Sequence, residues 1–151
     1  MPTKYDGTHE ERRALDAYIK LQRAAETVVT RTTAHLATYD LTSTQFGILE
    51  ALYHLGTLSQ RDLAQKLLKS TGNISTVLKN LEKRGLITRE RNPEDTRYMK
   101  VCISSTGQEL LASFFVQHVW GIVEEMSILT VEEQEELARL CRKLGLREPS
   151  T

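Results

Sequence analysis

Two cysteines, three prolines and no long apolar run close off several protein classes at the outset. Cys102 and Cys141 make no disulfide framework, and their separation is not that of a metal site. The histidines His9, His35, His54 and His118 are scattered, with no second histidine at helical spacing, so no metal is expected. No apolar stretch approaches the ~20 residues that cross a bilayer. The opening MPTKYDGTHEERR has neither an apolar core nor a cleavage site. No secretory signal is therefore expected, and a cytoplasmic location follows. Catalytic signatures are missing as well: there is no G-x-S-x-G, no P-loop and no H-E-x-x-H. The acidic run EEQEE at 132–136 reads as helix-start charge and surface, not an acid/base pair. The expectation is a protein that is not an enzyme and carries no cofactor.

Net charge is also absent, since 20 Lys and Arg cancel 20 Asp and Glu. The cancellation is not local. Between Leu58 and Ile103 stand ten basic residues (Arg61, Lys66, Lys69, Lys79, Lys83, Arg84, Arg89, Arg91, Arg97, Lys100) against five acidic ones, a net +5. From Gln108 to Thr151, eight glutamates face four basic residues. A neutral chain with one basic segment attracts polyanions at that segment, and its acidic end is expected to lie away from them.

At 151 residues the chain fits one compact domain or a small domain with helical extensions. Residues from about His9 to Ala37 lack Pro and Gly and space their apolar residues as a long helix. Such a helix overhangs a small domain, so part of its stripe is expected to pack on another chain. Thr42 and Gln45 form a capping-box pattern for a second helix, which Gly56 stops. Ser59 caps a third, with Leu63, Ala64 and Leu67 facing inward. A fourth runs from about Thr71 to Arg84 on a buried stripe of Ile74, Val77, Leu78 and Leu81, and Gly85 ends it in the left-handed conformation. Leu86–Arg91 and Arg97–Ile103 read as strands joined by the turn NPEDT. Met99, Val101 and Ile103 face the core, and by parity Cys102 points away. Ser104 caps a fifth helix that is apolar on both faces in places, as suits a helix between subunits. Thr130 and Glu133 start a last helix with Leu137, Leu140, Cys141 and Leu144 inward.

Helix, turn, helix and basic hairpin is the order of a device that sets one helix in a DNA major groove. The outer face of the fourth helix is small and polar early and basic late, matching base edges and then phosphates. A merely solvated face is the alternative reading of that pattern.

The arrangement resembles the MarR family of bacterial transcription regulators along essentially the whole chain. The most specific element is DTRYMKVCISSTG at 95–107, similar to the family pattern D-x-R-x-x-x-V-x-L-T-x-x-G. Asp95, Arg97, Val101 and Gly107 match it, while Ile103 replaces Leu and Ser104 replaces Thr. The resemblance implies a mainly α (α+β) fold: a winged helix-turn-helix with long N- and C-terminal dimerisation helices. It divides the chain into an N-terminal dimerisation helix (1–40), a DNA-binding domain (41–103) and C-terminal dimerisation helices (104–151). It implies a homodimer on a palindromic double-stranded operator, a repressor released by a small, phenolic or otherwise aromatic effector. The DNA-binding residues would be Ser70, Thr71, Gly72, Asn73, Ser75, Thr76, Lys79, Asn80, Lys83, Arg91, Asp95 and Arg97, with Arg97 in the minor groove and Asp95 holding it by a salt bridge. The effector pocket would involve His35, Tyr39, His54 and Trp120, each of which could equally be a satisfied core residue. Two alternatives stand beside this reading. Cys102, near Lys100, could serve a redox switch, whereas Cys141 on its apolar stripe reads as inert core. A winged helix can also be a protein-interaction module, because fold alone does not fix function.

Overall fold

Capping residues set the element boundaries in the computed structural model, which describes residues 4–149. The helix α1 spans His9–Thr33, and the chain then tightens into a 3-10 segment, Ala34–Tyr39. Asp40 stops it at φ 53°, with Asp40 N–H on Ala37 and Leu41 N–H on Leu36 closing the turn. The single long helix expected through Ala37 is thus shorter by one turn. Helix α2 (Ser43–Leu55) opens on the Thr42–Gln45 capping box, with both reciprocal hydrogen bonds formed. Ser59 accepts from Asp62 N–H to start α3 (Gln60–Lys66), and Ser70 accepts from Asn73 N–H to start α4 (Thr71–Lys83). Strands β2 (Ile87–Arg91) and β3 (Met99–Ile103) form the expected hairpin. A two-residue strand β1 (Leu58–Ser59), too short to leave a pattern, pairs Leu58 with Val101 and puts β3 at the centre of an antiparallel sheet ordered β1-β3-β2. Helices α5 (Ser105–Met126) and α6 (Val131–Leu146) complete the chain, and Thr130 with Glu133 closes the capping box of α6.

The chain divides by packing into two units. Residues 33–116 form one. It contains every fully buried apolar side chain among the described residues, from Leu36 to Phe114. Leu49, Leu52, Leu63, Ile74, Leu78, Leu81, Val101 and Leu111 are all 0–1% exposed and join α2, α3, α4, the sheet and the first turns of α5 into one core. Residues 1–32 and 117–151 form the other unit. There the sequence expectation needs correction. Leu137, Leu140 and Leu144 were read as inward, but they are 39%, 47% and 54% exposed, and Cys141 is exposed beside them. The stripe has the right period, but among the described residues it is only partly covered. No helix is long and apolar enough to cross a membrane among the described residues.

Gly107 shows why the wing motif ends in glycine. A Cβ there would collide with the Leu86 carbonyl oxygen and come within 2.8 Å of Ile103 Cγ1. Ser104 locks the same corner: its Oγ donates to Gly85 O at 2.6 Å and accepts from Gly107 N–H at 3.0 Å. Gly107→Ala is therefore expected to destabilise the fold by about 1–3 kcal/mol through overpacking against backbone. A thermal melt of the variant checks this, and an unchanged melt would mean that the corner can relax.

Candidate nucleic-acid interface

Helix α4 is anchored at both ends before it presents a face. Its entry follows a left-handed turn at Leu68, φ 54°, in which Leu68 N–H bonds to Gln65 O and Lys69 N–H to Ala64 O. The sequence gives no glycine there, so this turn was not foreseen. Its exit is the expected left-handed Gly85, φ 72°, with Gly85 N–H on Glu82 O and Leu86 N–H on Leu81 O. Between them Ile74, Leu78 and Leu81 are buried, so the opposite face is fixed outward.

That outward face is the expected one. Thr71, Gly72, Asn73, Thr76, Lys79, Asn80 and Lys83 are exposed, while Ser75 is half-buried on the flank. A Cβ at Gly72 would meet nothing within 4 Å, so packing does not account for this glycine. Ser70 Oγ is already engaged as the helix cap, and Thr76 Oγ1 lies 3.4 Å from Gly72 O.

The wing tip is ordered by its own hydrogen bonds. Asn92 Oδ1 accepts from Glu94 N–H, Tyr98 N–H donates to Asp95 O, and Asn92 N–H donates to Tyr98 O. Arg97 was placed at the start of a strand. It stands instead in this turn, two residues before β3, because the Asp95–Tyr98 bond closes the turn there. Asp95 holds it through three bonds: Oδ1 accepts from Arg97 N–H (3.1 Å) and Nε (2.9 Å), and Oδ2 from Nη2 (2.8 Å). The side chain of Arg97 is nevertheless 81% exposed, so the guanidinium is oriented without being hidden. It also lies 5.9 Å from the Tyr98 ring centre. The hydrogen bonds from Arg97 hold the Asp95 carboxyl below its usual range, and Asp95 raises Arg97 in turn. A carboxylate with a lowered pKa keeps its pair above that value and loses it only as pH falls through it, so the pair persists at neutral pH.

Counting cations along the sequence overstated the free charge. Arg89 is only 15% exposed and its Nε and Nη2 bind Glu82. Arg84 reaches back to the carbonyls of Tyr39 and Asp40. Arg91 donates through Nη1 to Thr96 O, bracing the turn that carries Arg97. Nothing local in the sequence marks these three as internal ties, since their partners lie 5 to 45 residues away.

The side chains named for an effector fall into separate groups. His35 and Tyr39 both meet Phe114, edge-on at 5.9 Å and stacked at 4.2 Å. His54 Nδ1 lies 3.0 Å from Glu50 O, and its ring meets Phe115 at 4.7 Å. Trp120 belongs to the other unit and is 66% exposed. Cys102 is half-buried on the expected face, with Sγ 3.2 Å from Thr57 Oγ1. Among the described residues no group of His, Cys, Asp or Glu could hold a metal ion.

Helix-turn-helix, three-stranded sheet with a wing and long flanking helices define a winged-helix protein. A sequence model of the MarR family matches residues 39–97. The HTH-type transcriptional regulator MhqR of Bacillus subtilis is 31% identical over 89% of this chain and 92% of its own length. The solved S. aureus MepR–DNA complex is 26% identical and covers 93% of this chain and 98% of that one, at a TM-score of 0.74. AbsC, a MarR family transcriptional regulator from Streptomyces coelicolor, matches the fold at a TM-score of 0.80, with 20% identity over 96% of this chain and 97% of its own. The chain belongs to the MarR family. It is a DNA-binding transcription regulator and not an enzyme.

Proposed function

We propose that the chain acts as a homodimeric repressor on a palindromic operator, released by a small aromatic effector. The observation that carries the DNA reading is the pairing of an outward polar-to-basic face on α4 with an exposed, pre-oriented Arg97. In this reading Thr71, Gly72, Asn73, Ser75 and Thr76 approach base edges. Ser70, at the cap of α4, Lys79, Asn80, Lys83 and Arg91, which is exposed and commits only Nη1 to Thr96, meet the DNA backbone, and Arg97, oriented by Asp95, enters the flanking minor groove. The relative MepR, solved with DNA, supports the partner class. Dimerisation is supported by the uncovered apolar residues of α5 and α6 and by the lack of any fully buried residue in α1 or α6. We assign 1–40 and 104–151 to dimerisation and 41–103 to DNA, with the cytoplasm as the place of work. The effector reading rests on His35 and Tyr39 around Phe114, with His54 and Trp120 as further candidates.

Selection of bound duplexes from a random pool tests this. A palindromic consensus is expected; a pool that stays random would reject sequence-specific binding. With the selected operator in hand, Asn73→Ala or Thr76→Ala is expected to cost about 1–3 kcal/mol and to blur preference at particular base pairs. Lys79→Ala is expected to weaken all duplexes alike, which competition with unrelated DNA measures.

A further inference from the structure

Arg84 closes α4, with its backbone at the helix cap and its side chain directed out of the element. Its Nη1 donates to Asp40 O at 2.6 Å and its Nη2 to Tyr39 O at 3.3 Å. Those carbonyls end the 3-10 segment Ala34–Tyr39, where a cation is favoured by the unpaired C-terminal oxygens. Both anchor points lie in turns closed by backbone hydrogen bonds. Asp40 sits in a left-handed turn closed by its own N–H on Ala37, and Gly85 closes the matching turn after Arg84. On this side of the unit an open cleft of about 580 Å³ is bordered by Ala37 and Asp40 on one side and by Asn80, Lys83 and Arg84 on the other. The guanidinium fork ties the two elements along the wall of that cleft.

The tie leads directly to an aromatic cluster. Tyr39, whose carbonyl Arg84 holds, stacks on Phe114 at 4.2 Å, and His35 meets the same ring edge-on. Phe114 is itself 1% exposed, so this end of the 3-10 segment is seated in the core.

We propose that Arg84 is a positioning residue for DNA recognition: it fixes the end of α4 against the Tyr39–Asp40 carbonyls, so that displacement of Tyr39 is transmitted to the recognition helix. The proposal rests on reading α4 as that helix. Arg84 then contributes to operator affinity without touching a phosphate. Moving the Tyr39 and Asp40 carbonyls would shift the end of α4 without touching its cations.

Arg84→Met and Arg84→Lys in the full-length protein test it by two readouts. The first is amide hydrogen exchange without DNA. Arg84→Met is expected to speed exchange at both 39–41 and 80–86, and Arg84→Lys to do so less, since an ammonium keeps a donor for one carbonyl although it lacks the two-pronged fork. The second is operator affinity across a salt series. Arg84→Met is expected to weaken binding about five- to tenfold at every salt concentration, with the salt slope unchanged. A slope shallower by about one would mean a phosphate contact and overturn the proposal. Unchanged exchange in Arg84→Met would overturn it too, whatever the affinity. Failure of the unmutated protein to bind any duplex would instead reject α4 as a recognition helix, leaving the exchange result to decide whether the tie exists.

Discussion

Arg97→Ala is expected to lower operator affinity about ten- to a hundredfold while leaving folding and dimerisation unchanged. The side chain is 81% exposed and carries none of the core, so its loss costs no packing. Its value lies in being held ready. Asp95 binds Nε and Nη2 in a two-pronged pair and also accepts the Arg97 N–H, which removes the search for a rotamer from the cost of binding. Arg91 supports the same turn through Thr96 O, so the wing tip does not depend on Arg97 to keep its shape. If the guanidinium meets a phosphate, the salt slope becomes shallower by about one. Arg97→Lys is expected to rescue only part of the loss, because an ammonium is more strongly hydrated and cannot form the fork. Asp95→Ala is expected to resemble Arg97→Ala in weaker form, since it releases the arginine without removing it. An exposed pair such as this adds little to stability. Unchanged thermal melts in all three variants are the corresponding control, and a collapsed melt in Arg97→Ala would make the pair a structural element instead.

The second large effect is expected from Leu140→Glu combined with Leu144→Glu. These side chains are 47% and 54% exposed along one stripe of α6, with Leu137 a turn before them. On α5, Val119, Trp120, Ile122 and Val123 are exposed as well, at 39–66%. Exposed apolar residues repeated along α5 and α6 fit an interface with a second copy. Placing two carboxylates in it is expected to weaken dimerisation by at least about a hundredfold, since burying an unpaired charge costs several kcal/mol. Operator binding should fall with it, because a lone protomer reaches only one half-site. Light scattering at about micromolar concentration reads the result. A variant that remains dimeric would place the interface elsewhere. Phe115, on α5, is a poor probe: it packs against the core of the 33–116 unit and meets the His54 ring, so a charge there damages the packing of that unit too.

Local chemistry was legible and distant chemistry was not. Thr42 with Gln45, Thr130 with Glu133, Ser59 and Gly85 act within a few residues of themselves, and each marks a real helix end. The core stripe of α4 followed from period alone, because Ile74, Leu78 and Leu81 repeat as a buried helical face must, and Val101 is the buried centre of β3. What was missed needed a partner far along the chain, or a backbone state that the residue type does not announce. Leu68 adopts a left-handed angle although leucine seldom does, so the turn before α4 left no sequence signal, whereas Asp40 is of a type that tolerates this region and ends the 3-10 segment with only a weak one. Strand β1 exists because β3 offers it an edge. Arg84 and Arg89 count as basic in any sequence window, yet their guanidinium groups are spent on Tyr39, Asp40 and Glu82. Leu140 and Leu144 do form a stripe, and among the described residues nothing buries it fully.

The most direct measurement is operator affinity across a salt series, for the unmutated protein and for Arg97→Ala, on the selected duplex and on a scrambled one. The expected result is affinity that falls steeply and log-linearly with salt, with the selected duplex at least about a thousandfold tighter than the scrambled one. The Arg97→Ala line should lie below it on the selected duplex. Equal affinity for both duplexes, or wild-type affinity in a folded, dimeric Arg97→Ala protein, would contradict recognition by α4 and the wing.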